Sequence, residues 1–174
     1  MKKLLFVMFA ALISMSAQAQ KKGDFAVGVH GSASFSKIEI FDVSDSYTQL
    51  GIGAFAQYNF ADNWRVEAEA NFHPMKDHVS DVLLALNLHY LFNLAEGFKI
   101  YPILGYGVAF VHTEAYKEGG VSSESSNTTD SSFQVGAGLQ LDLGSNVFAS
   151  AEYKFQPGIF GDAHVVMAGI GFRF

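Results

Sequence analysis

The chain has 174 residues, a formal net charge of −6, no cysteine and 49% hydrophobic residues. The absence of cysteine excludes disulfide bonds, thiolate metal sites and a lipid-modified cysteine. The acidic balance argues against nucleic acid as a partner, because binding a polyanion requires a cationic surface.

The first 19 residues predict a secretory signal peptide. Lys2 and Lys3 precede an apolar run over residues 4–15, and Ala17-Gln18-Ala19 forms a small-x-small cleavage site. A membrane anchor is the competing interpretation, but the run is shorter than the ~20 residues that a spanning helix needs. We therefore expect cleavage before Gln20, which removes two lysines and leaves 9 basic against 17 acidic residues.

The predicted mature domain, residues 20–174, contains eight segments in which apolar and polar residues alternate. A period of two indicates β-strands with unlike faces, and ~10–14 residues suffice to cross a bilayer at a tilt. At Pro102 we expect a bulge or a strand start, because proline removes a ladder donor. The predicted strands are Asp24–Ser36, Gln49–Phe60, Trp64–His73, Asp81–Asn93, Phe98–His112, Ser132–Leu143, Asn146–Gln156 and Ala163–Phe174.

The links between these strands alternate in length. Residues 61–63, 95–97 and 144–145 are short links, and the links after strands one, three, five and seven are longer. The longest, Thr113–Ser131, is rich in Ser, Thr, Gly, Asn and Glu, so we expect a mobile, exposed loop. In bacterial outer-membrane barrels the short turns are periplasmic, which places both termini inside and Thr113–Ser131 outside.

One face of the predicted strands is apolar and the opposite face is polar. The apolar face carries Phe25, Val27, Val29, Ala33, Phe35, Leu50, Ile52, Ala54, Ala56, Tyr58, Phe60, Val82, Leu84, Leu86, Leu88, Tyr90, Phe92, Val147, Ala149, Ala151, Tyr153, Phe155, Val166, Ala168, Ile170, Phe172 and Phe174. The polar face carries Arg65, Glu67, Glu69, Asn87, His89, Lys99, Gln134, Gln140, Asp142, Glu152, Lys154 and Arg173.

Aromatic residues collect at both ends of the apolar face. The strands of a soluble β-sandwich would also alternate between apolar and polar residues, but a sandwich would not explain why aromatic residues collect at the strand ends. Aromatic rings prefer the membrane–water interface, so two belts indicate two membrane surfaces. The sequence therefore predicts an all-β protein, an eight-stranded antiparallel up-and-down transmembrane β-barrel, located in the cell outer membrane of a Gram-negative type envelope after Sec-type export.

The signal peptide, the eight amphipathic strands and the closing strand Gly169-Ile170-Gly171-Phe172-Arg173-Phe174 are similar to those of a known family. The chain resembles the small OmpA-like and OmpX-like outer-membrane β-barrels, often labelled porin-family proteins. The resemblance implies that Ile170, Phe172 and Phe174 form the signal that the barrel assembly machinery recognises. Unlike for full OmpA-type proteins, we expect no peptidoglycan-binding domain and therefore no wall-tethering role.

The inward charges predict a closed lumen. Eight strands enclose a space that inward side chains can fill. Four basic and four acidic residues balance one another, so we predict a paired network that plugs the barrel. A narrow porin-like channel for small solutes is the alternative, favoured by inward glycines such as Gly51, Gly53, Gly136 and Gly138. The predicted lumen charge network is Arg65, Glu67, Glu69, Lys99, Asp142, Glu152, Lys154 and Arg173.

Catalysis is a less favoured hypothesis. His30-Gly31-Ser32 resembles the spacing of lipid A deacylase barrels, but strand parity points His30 and Ser32 inward rather than toward lipid. The loop Pro74–Asp81 contains His, Asp and Ser, as any solvated loop does. The six histidines lack the spacing of a metal site. We therefore predict no enzyme, no catalytic residues, no metal and no cofactor.

The outer loops are the remaining candidates for interaction. Glu114, Glu118, Glu124 and Asp130 against Lys117 make the longest loop a candidate for divalent-cation, lipopolysaccharide-bridging or host contacts, although a solvated loop is the simpler interpretation. The predicted function is therefore a structural or surface-interaction role. The predicted partners are outer-membrane lipid and lipopolysaccharide, the barrel assembly machinery and an extracellular ligand at the outer loops, without nucleic acid.

Overall fold

The computed structural model describes residues 22–40, 43–76, 78–118, 121–157 and 162–174. The predicted signal peptide lies outside the described residues. Within these ranges all regular structure is β-strand, and no helix is long and apolar enough to cross a membrane.

Eleven β-strands follow one another along the described chain. They are β1 (Phe25–Ile40), β2 (Val43–Ala61), β3 (Trp64–Lys76), β4 (Val79–Tyr90), β5 (Phe92–Ala95), β6 (Phe98–Thr113), β7 (Tyr116–Glu118), β8 (Val121–Ser123), β9 (Ser126–Asp142), β10 (Val147–Gln156) and β11 (Asp162–Arg173).

The main sheet closes on itself as an antiparallel barrel. Each strand pairs with its neighbours in the order β4-β3-β2-β1-β11-β10-β9-β6, and β4 pairs with β6 to complete the ring. β5 also pairs with β6 and continues the line of β4 after a break at Leu91, so β4 and β5 form one barrel strand. β7 and β8 form a separate two-stranded sheet. The predicted eight-stranded barrel is confirmed.

The strands reach further than predicted at one end of the barrel. The Thr113–Ser131 segment was expected to be a loop, but β9 begins at Ser126 and pairs with β6 as far as Thr113, while β7 and β8 form a hairpin in between. Pairing satisfies backbone groups that a polar, threonine-rich segment would otherwise leave to water. Pro74–Asp81 is likewise mostly strand, because β3 ends at Lys76 and β4 begins at Val79.

Pro102 lies inside an uninterrupted strand, so the expected bulge or strand start in its own strand is wrong. Pro102 pairs with Ala137 of β9. The irregularity falls on the other neighbour, where β4 ends at Tyr90 and Leu91 lies outside the ladder. A break in the partner strand accommodates a residue without an N–H donor.

The apolar face is exposed on the outside of the barrel. Leu86 is 62% exposed and Ile52 is 68% exposed, although both are large apolar side chains. Phe92 is the exception in the predicted row, since it is only 7% exposed. It follows the break at Leu91, and its ring packs edge-on against Tyr90 with centroids 4.8 Å apart. Apolar rows of this size facing outward require a hydrocarbon solvent.

Two aromatic belts ring the outer surface. We call the end that carries both described chain ends and the short turns the terminal end, and the opposite end the loop end. Phe25 lies at the terminal end of β1 and Phe35 lies ten residues further toward the loop end. At a rise of about 3.4 Å per residue and a tilt near 40°, the belts are about 26 Å apart, which matches the apolar band of outer-membrane barrels.

Candidate functional site: the polar lumen

The polar side chains occupy the inward positions of the strands. Because alternate residues of a strand point to opposite faces, every apolar outward residue is followed by an inward one. Nine of the twelve residues predicted for the polar face are buried to 95% or more: Arg65, Glu67, Glu69, Asn87, His89, Lys99, Gln134, Gln140 and Lys154. Asp142 and Arg173 are half-buried, and the Glu152 side chain is 8% exposed.

Three carboxylates meet one ammonium near the middle of the lumen. Lys154 on β10 forms ion pairs with Glu69 of β3 and, at 3.0 Å, with Glu152 two residues before it. Glu67 lies 4.0 Å from the same ammonium. We call Glu67, Glu69, Glu152 and Lys154 the carboxylate cluster. Tyr101 of β6 donates its hydroxyl to Glu152 at 2.8 Å, so strands from all sides of the barrel meet here.

Side-chain amides satisfy the remaining carboxylate oxygens. Gln57 donates to Glu67 at 2.6 Å, and Asn87 donates to Glu67 at 3.0 Å and to Glu69 at 2.9 Å. Buried charges are tolerated when they are paired and hydrogen-bonded, and strongly destabilising when one partner is missing. The cluster is therefore a structural unit whose members depend on one another.

A second cluster lies at the terminal end. Asp142 accepts hydrogen bonds from Lys99 at 2.7 Å and from Arg173 at 2.9 Å. Gln140 donates to Asp142 at 3.0 Å and accepts from Arg65 at 2.8 Å. Seven of the eight charged residues predicted for the lumen thus lie in two clusters. The eighth, Arg65, lies between them and reaches Asp142 through Gln140.

His89 lies next to the carboxylate cluster in a group with metal-like spacing. In the part of the chain that the structure describes, Glu67, His89 and Glu152 place ligand atoms within 4.8 Å of one another. Arg65 donates to His89 Nδ1 at 3.1 Å from Nε and 2.9 Å from Nη2. Arginine is always a donor, so Nδ1 accepts and the ring proton of neutral His89 sits on Nε2.

This protonation state argues against a metal ion at that group. His89 Nε2 has no hydrogen-bond partner, and Glu67 Oε1 lies 3.8 Å from it. A histidine ligand must offer a lone pair to the metal. Here the nitrogen that faces the carboxylates carries the proton, so it has no lone pair to offer a metal. The donor set does not fit a metal.

Aromatic side chains fill the lumen beside the inward glycines, which sequence reasoning missed. A Cβ on Gly28 would overlap the Phe55 ring, one on Gly171 the Phe148 ring and one on Gly138 the Tyr101 ring. Arg65 stacks on Tyr101 with its guanidinium carbon 4.6 Å from the ring centroid. Phe55 and Tyr101 lie at odd-numbered positions of their strands, which are the inward positions there. This parity could have placed both rings in the lumen. These three glycines therefore accommodate neighbouring rings and do not leave open space.

A family model described as "Outer membrane protein beta-barrel domain" matches residues 7–174. The chain belongs to this outer-membrane β-barrel family. The predicted location in the outer membrane is confirmed. No curated protein sequence matches the chain.

Solved structures of outer-membrane barrels share the fold. The N-terminal β-barrel domain of Pseudomonas aeruginosa OprF is 20% identical with a TM-score of 0.63, covering 89% of this chain and 100% of that one. Neisserial surface protein A is 16% identical with a TM-score of 0.69, covering 88% and 100%. The attachment invasion locus protein Ail of Yersinia pestis is 19% identical with a TM-score of 0.57, covering 88% and 99%. At these identities the likeness is one of fold.

The closing strand of this outer-membrane barrel carries the predicted assembly residues on its outer face. Ile170, Phe172 and Phe174 are all exposed, and the Phe172 and Phe174 rings pack with centroids 5.2 Å apart. Phe174 donates its N–H to Phe25 O at 2.8 Å, which joins the two ends of the described chain.

Proposed function

We propose that this protein is a structural barrel with a side-chain-plugged lumen that presents its loop end for surface interaction. The observation that best supports the plug is the position of Lys154. Lys154 is 0% exposed, and its side chain crosses the lumen to Glu69, 85 residues away in sequence. A solute passing this level would separate buried ion pairs, and breaking one costs about 3–5 kcal/mol.

The arrangement at the inward glycines supports the plug over a narrow porin-like channel. The alternative depended on glycines that leave room for solutes. The positions of Phe55, Tyr101 and Phe148 beside Gly28, Gly138 and Gly171 use that room for protein. Phe55 and Phe148 also pack with each other at 6.2 Å between centroids.

We expect the refolded barrel, residues 20–174, to show no stable open conductance steps in planar bilayers. The reason is that ion pairs and hydrogen bonds span the lumen at the level of Lys154. Insertion is verified in the same membranes by the blue-shifted emission of the single tryptophan, Trp64. Large, stable open steps would remove the plug and favour the narrow channel.

The loop end supplies the surface for interaction. β6 and β9 remain paired beyond the belt residue Phe110, as far as Thr113 and Ser126. Glu114 and Glu124 are exposed there. Ail of Yersinia pestis has been solved with the heparin analogue sucrose octasulfate, a polyanion. Exposed carboxylates repel polyanions, so we propose cationic or divalent-cation-bridged partners, such as the phosphates of lipopolysaccharide.

Replacing residues 114–125 by an Asn-Gly turn is expected to reduce binding of lipopolysaccharide vesicles in the presence of Ca²⁺ and to reduce adhesion to cells. The Thr113↔Ser126 pair is kept, and a two-residue turn suits such a hairpin. Binding is measured with and without chelator. Unchanged binding in both assays would exclude the interaction role of this segment.

The family and the fold also support an orientation in the membrane and two further partners, the barrel assembly machinery and lipid. We propose that the terminal end faces the periplasm, since outer-membrane barrels place short turns on that side. We propose that Ile170, Phe172 and Phe174 present the signal that the barrel assembly machinery binds. Lipid surrounds the exposed apolar rows.

A further inference from the structure

A serine, a histidine and an aspartate meet at the loop end of the lumen. His73 Nδ1 lies 2.8 Å from Asp81 Oδ2, and Ser32 Oγ lies 3.5 Å from His73 Nε2. We propose that Ser32, His73 and Asp81 form a hydrolytic site that cleaves small acyl esters through an acyl-serine intermediate. This activity goes beyond the structural role proposed above and beyond the expectation of no catalysis.

The strand register holds these three side chains together. His73 of β3 and Asp81 of β4 are direct cross-strand partners. Ser32 lies on β1, which is separated from β3 by β2. Its direct partner on β2 is Gly51. A Cβ at Gly51 would lie 2.6 Å from Ser32 Oγ and would also overlap the His73 ring. The glycine is therefore what allows Ser32 to reach His73 across an intervening strand.

The donor and acceptor roles in these contacts match those of a nucleophile with an oriented base. The Asp81 carboxylate only accepts, so His73 Nδ1 carries the proton and donates it. Nε2 is then unprotonated and accepts the Ser32 hydroxyl hydrogen bond. This is the order of roles in serine hydrolases, in which the aspartate fixes the histidine tautomer. A serine–histidine separation of 3.5 Å lies at the long end of what is found before substrate binds.

The reaction balances with the groups present and water. Ser32 Oγ bonds to the ester carbonyl carbon while its proton passes to His73 Nε2. The bond from that carbon to the alcohol oxygen breaks, and His73 returns the proton to the leaving oxygen. Water then adds to the acyl-serine, gives a proton to His73, and the carboxylic acid leaves as the proton returns to Ser32.

The position of the site selects the substrate class. On the same face of β1, Ser36 and Ser34 are half-buried and Ser32 is buried, so Ser32 lies at the floor of the loop-end mouth. The carboxylate cluster closes the lumen below it. A substrate therefore enters from the loop end and brings only a short acyl group to Ser32.

We expect slow turnover at this site. Strand N–H groups are committed to the ladder, so no backbone pair is preorganised for the oxyanion. Gln49, buried on β2 two residues before Gly51, offers a side-chain amide that bonds Pro74 O at 3.4 Å. Acylation and deacylation are then both slow, because each step forms an oxyanion.

The test uses the refolded barrel in detergent with p-nitrophenyl acetate and a fluorophosphonate probe. Ser32→Ala is expected to lower kcat/KM at least about 100-fold and to abolish the covalent adduct seen by intact mass spectrometry. The matched control is Ser34→Ala, the next inward serine of β1, which is expected to keep the wild-type rate. Equal rates for wild type and Ser32→Ala, or probe labelling that persists in Ser32→Ala, would overturn the proposal.

Asp81 is a positioning residue that acts through His73, so its role is tested by a separate measurement. Asp81→Asn is expected to lower kcat by about 100-fold or more with little change in KM, because the amide removes the carboxylate charge and can donate to His73 Nδ1, which favours the wrong histidine tautomer. Asp81→Glu is expected to restore part of kcat, since a carboxylate is kept. If both variants retain the wild-type kcat while Ser32 still reacts with the probe, the triad assignment fails.

Discussion

Replacing Lys154 by methionine is expected to lower the free energy of unfolding by about 3–5 kcal/mol. The substitution keeps much of the side-chain volume but removes the ammonium that pairs with Glu69 and Glu152. Three carboxylates then remain buried without the ammonium that they share. The measurement is urea unfolding of the refolded barrel in lipid vesicles, followed by Trp64 emission.

Lys99→Met is the matched control for this prediction. Lys99 also pairs with a carboxylate, Asp142, but that partner is half-buried and keeps its contact with Arg173 at 2.9 Å. The expected loss is about 1 kcal/mol or less. Adding Glu69→Gln to Lys154→Met is expected to recover part of the stability, because it removes one unpaired charge. Equal, small losses for the two lysines would contradict the plug as a coupled unit.

Leu86→Arg is expected to destabilise the barrel by about 2–4 kcal/mol. Leu86 is 62% exposed and lies four residues from Val82, which pairs with Phe110, and four from Tyr90, which pairs with Trp64. It is therefore midway between the belts, where hydrocarbon surrounds it and a guanidinium loses its hydration. In a soluble sandwich the same change on an exposed position would be nearly neutral.

The control for this second prediction lies at the membrane interface. Leu143 is 57% exposed, close to the value for Leu86, but it lies in the turn after β9 at the terminal end. Leu143→Arg is expected to cost about 0–1 kcal/mol, because headgroups and water solvate the charge there. Both variants are compared in the same urea titration. If Leu86→Arg and Leu143→Arg lowered the free energy of unfolding by the same amount, this result would contradict the membrane environment of the apolar rows.

The alternation of side chains allowed most of the fold to be predicted. Parity alone assigns Leu86 to the outside and Asn87 to the inside, and the structure agrees. All eight predicted barrel strands exist. The terminal-end boundaries are close because short turns such as that at Gly97, with a positive φ of 73°, have clear signals. At the loop end the strands continue, since polar, threonine-rich sequence is compatible with both loop and paired strand.

Contacts across the lumen could not be predicted from the sequence. Parity indicates that Lys154 and Glu69 both point inward, but their contact depends on barrel closure and on the register of every strand between them. The same holds for Ser32 and His73, which meet only because Gly51 lies at the intervening position. The number of charges was therefore predictable, and their division into two clusters was not.

The central claim is that one face of the strands lies in hydrocarbon while the other lines a closed polar interior. The most direct measurement is fluorescence quenching of Trp64→Phe/Leu86→Trp in vesicles made with brominated lipids, with iodide as the aqueous quencher. We predict strong quenching by bromine placed deep in the acyl chains and protection from iodide. Quenching by iodide without an effect of the deep bromines would contradict the claim.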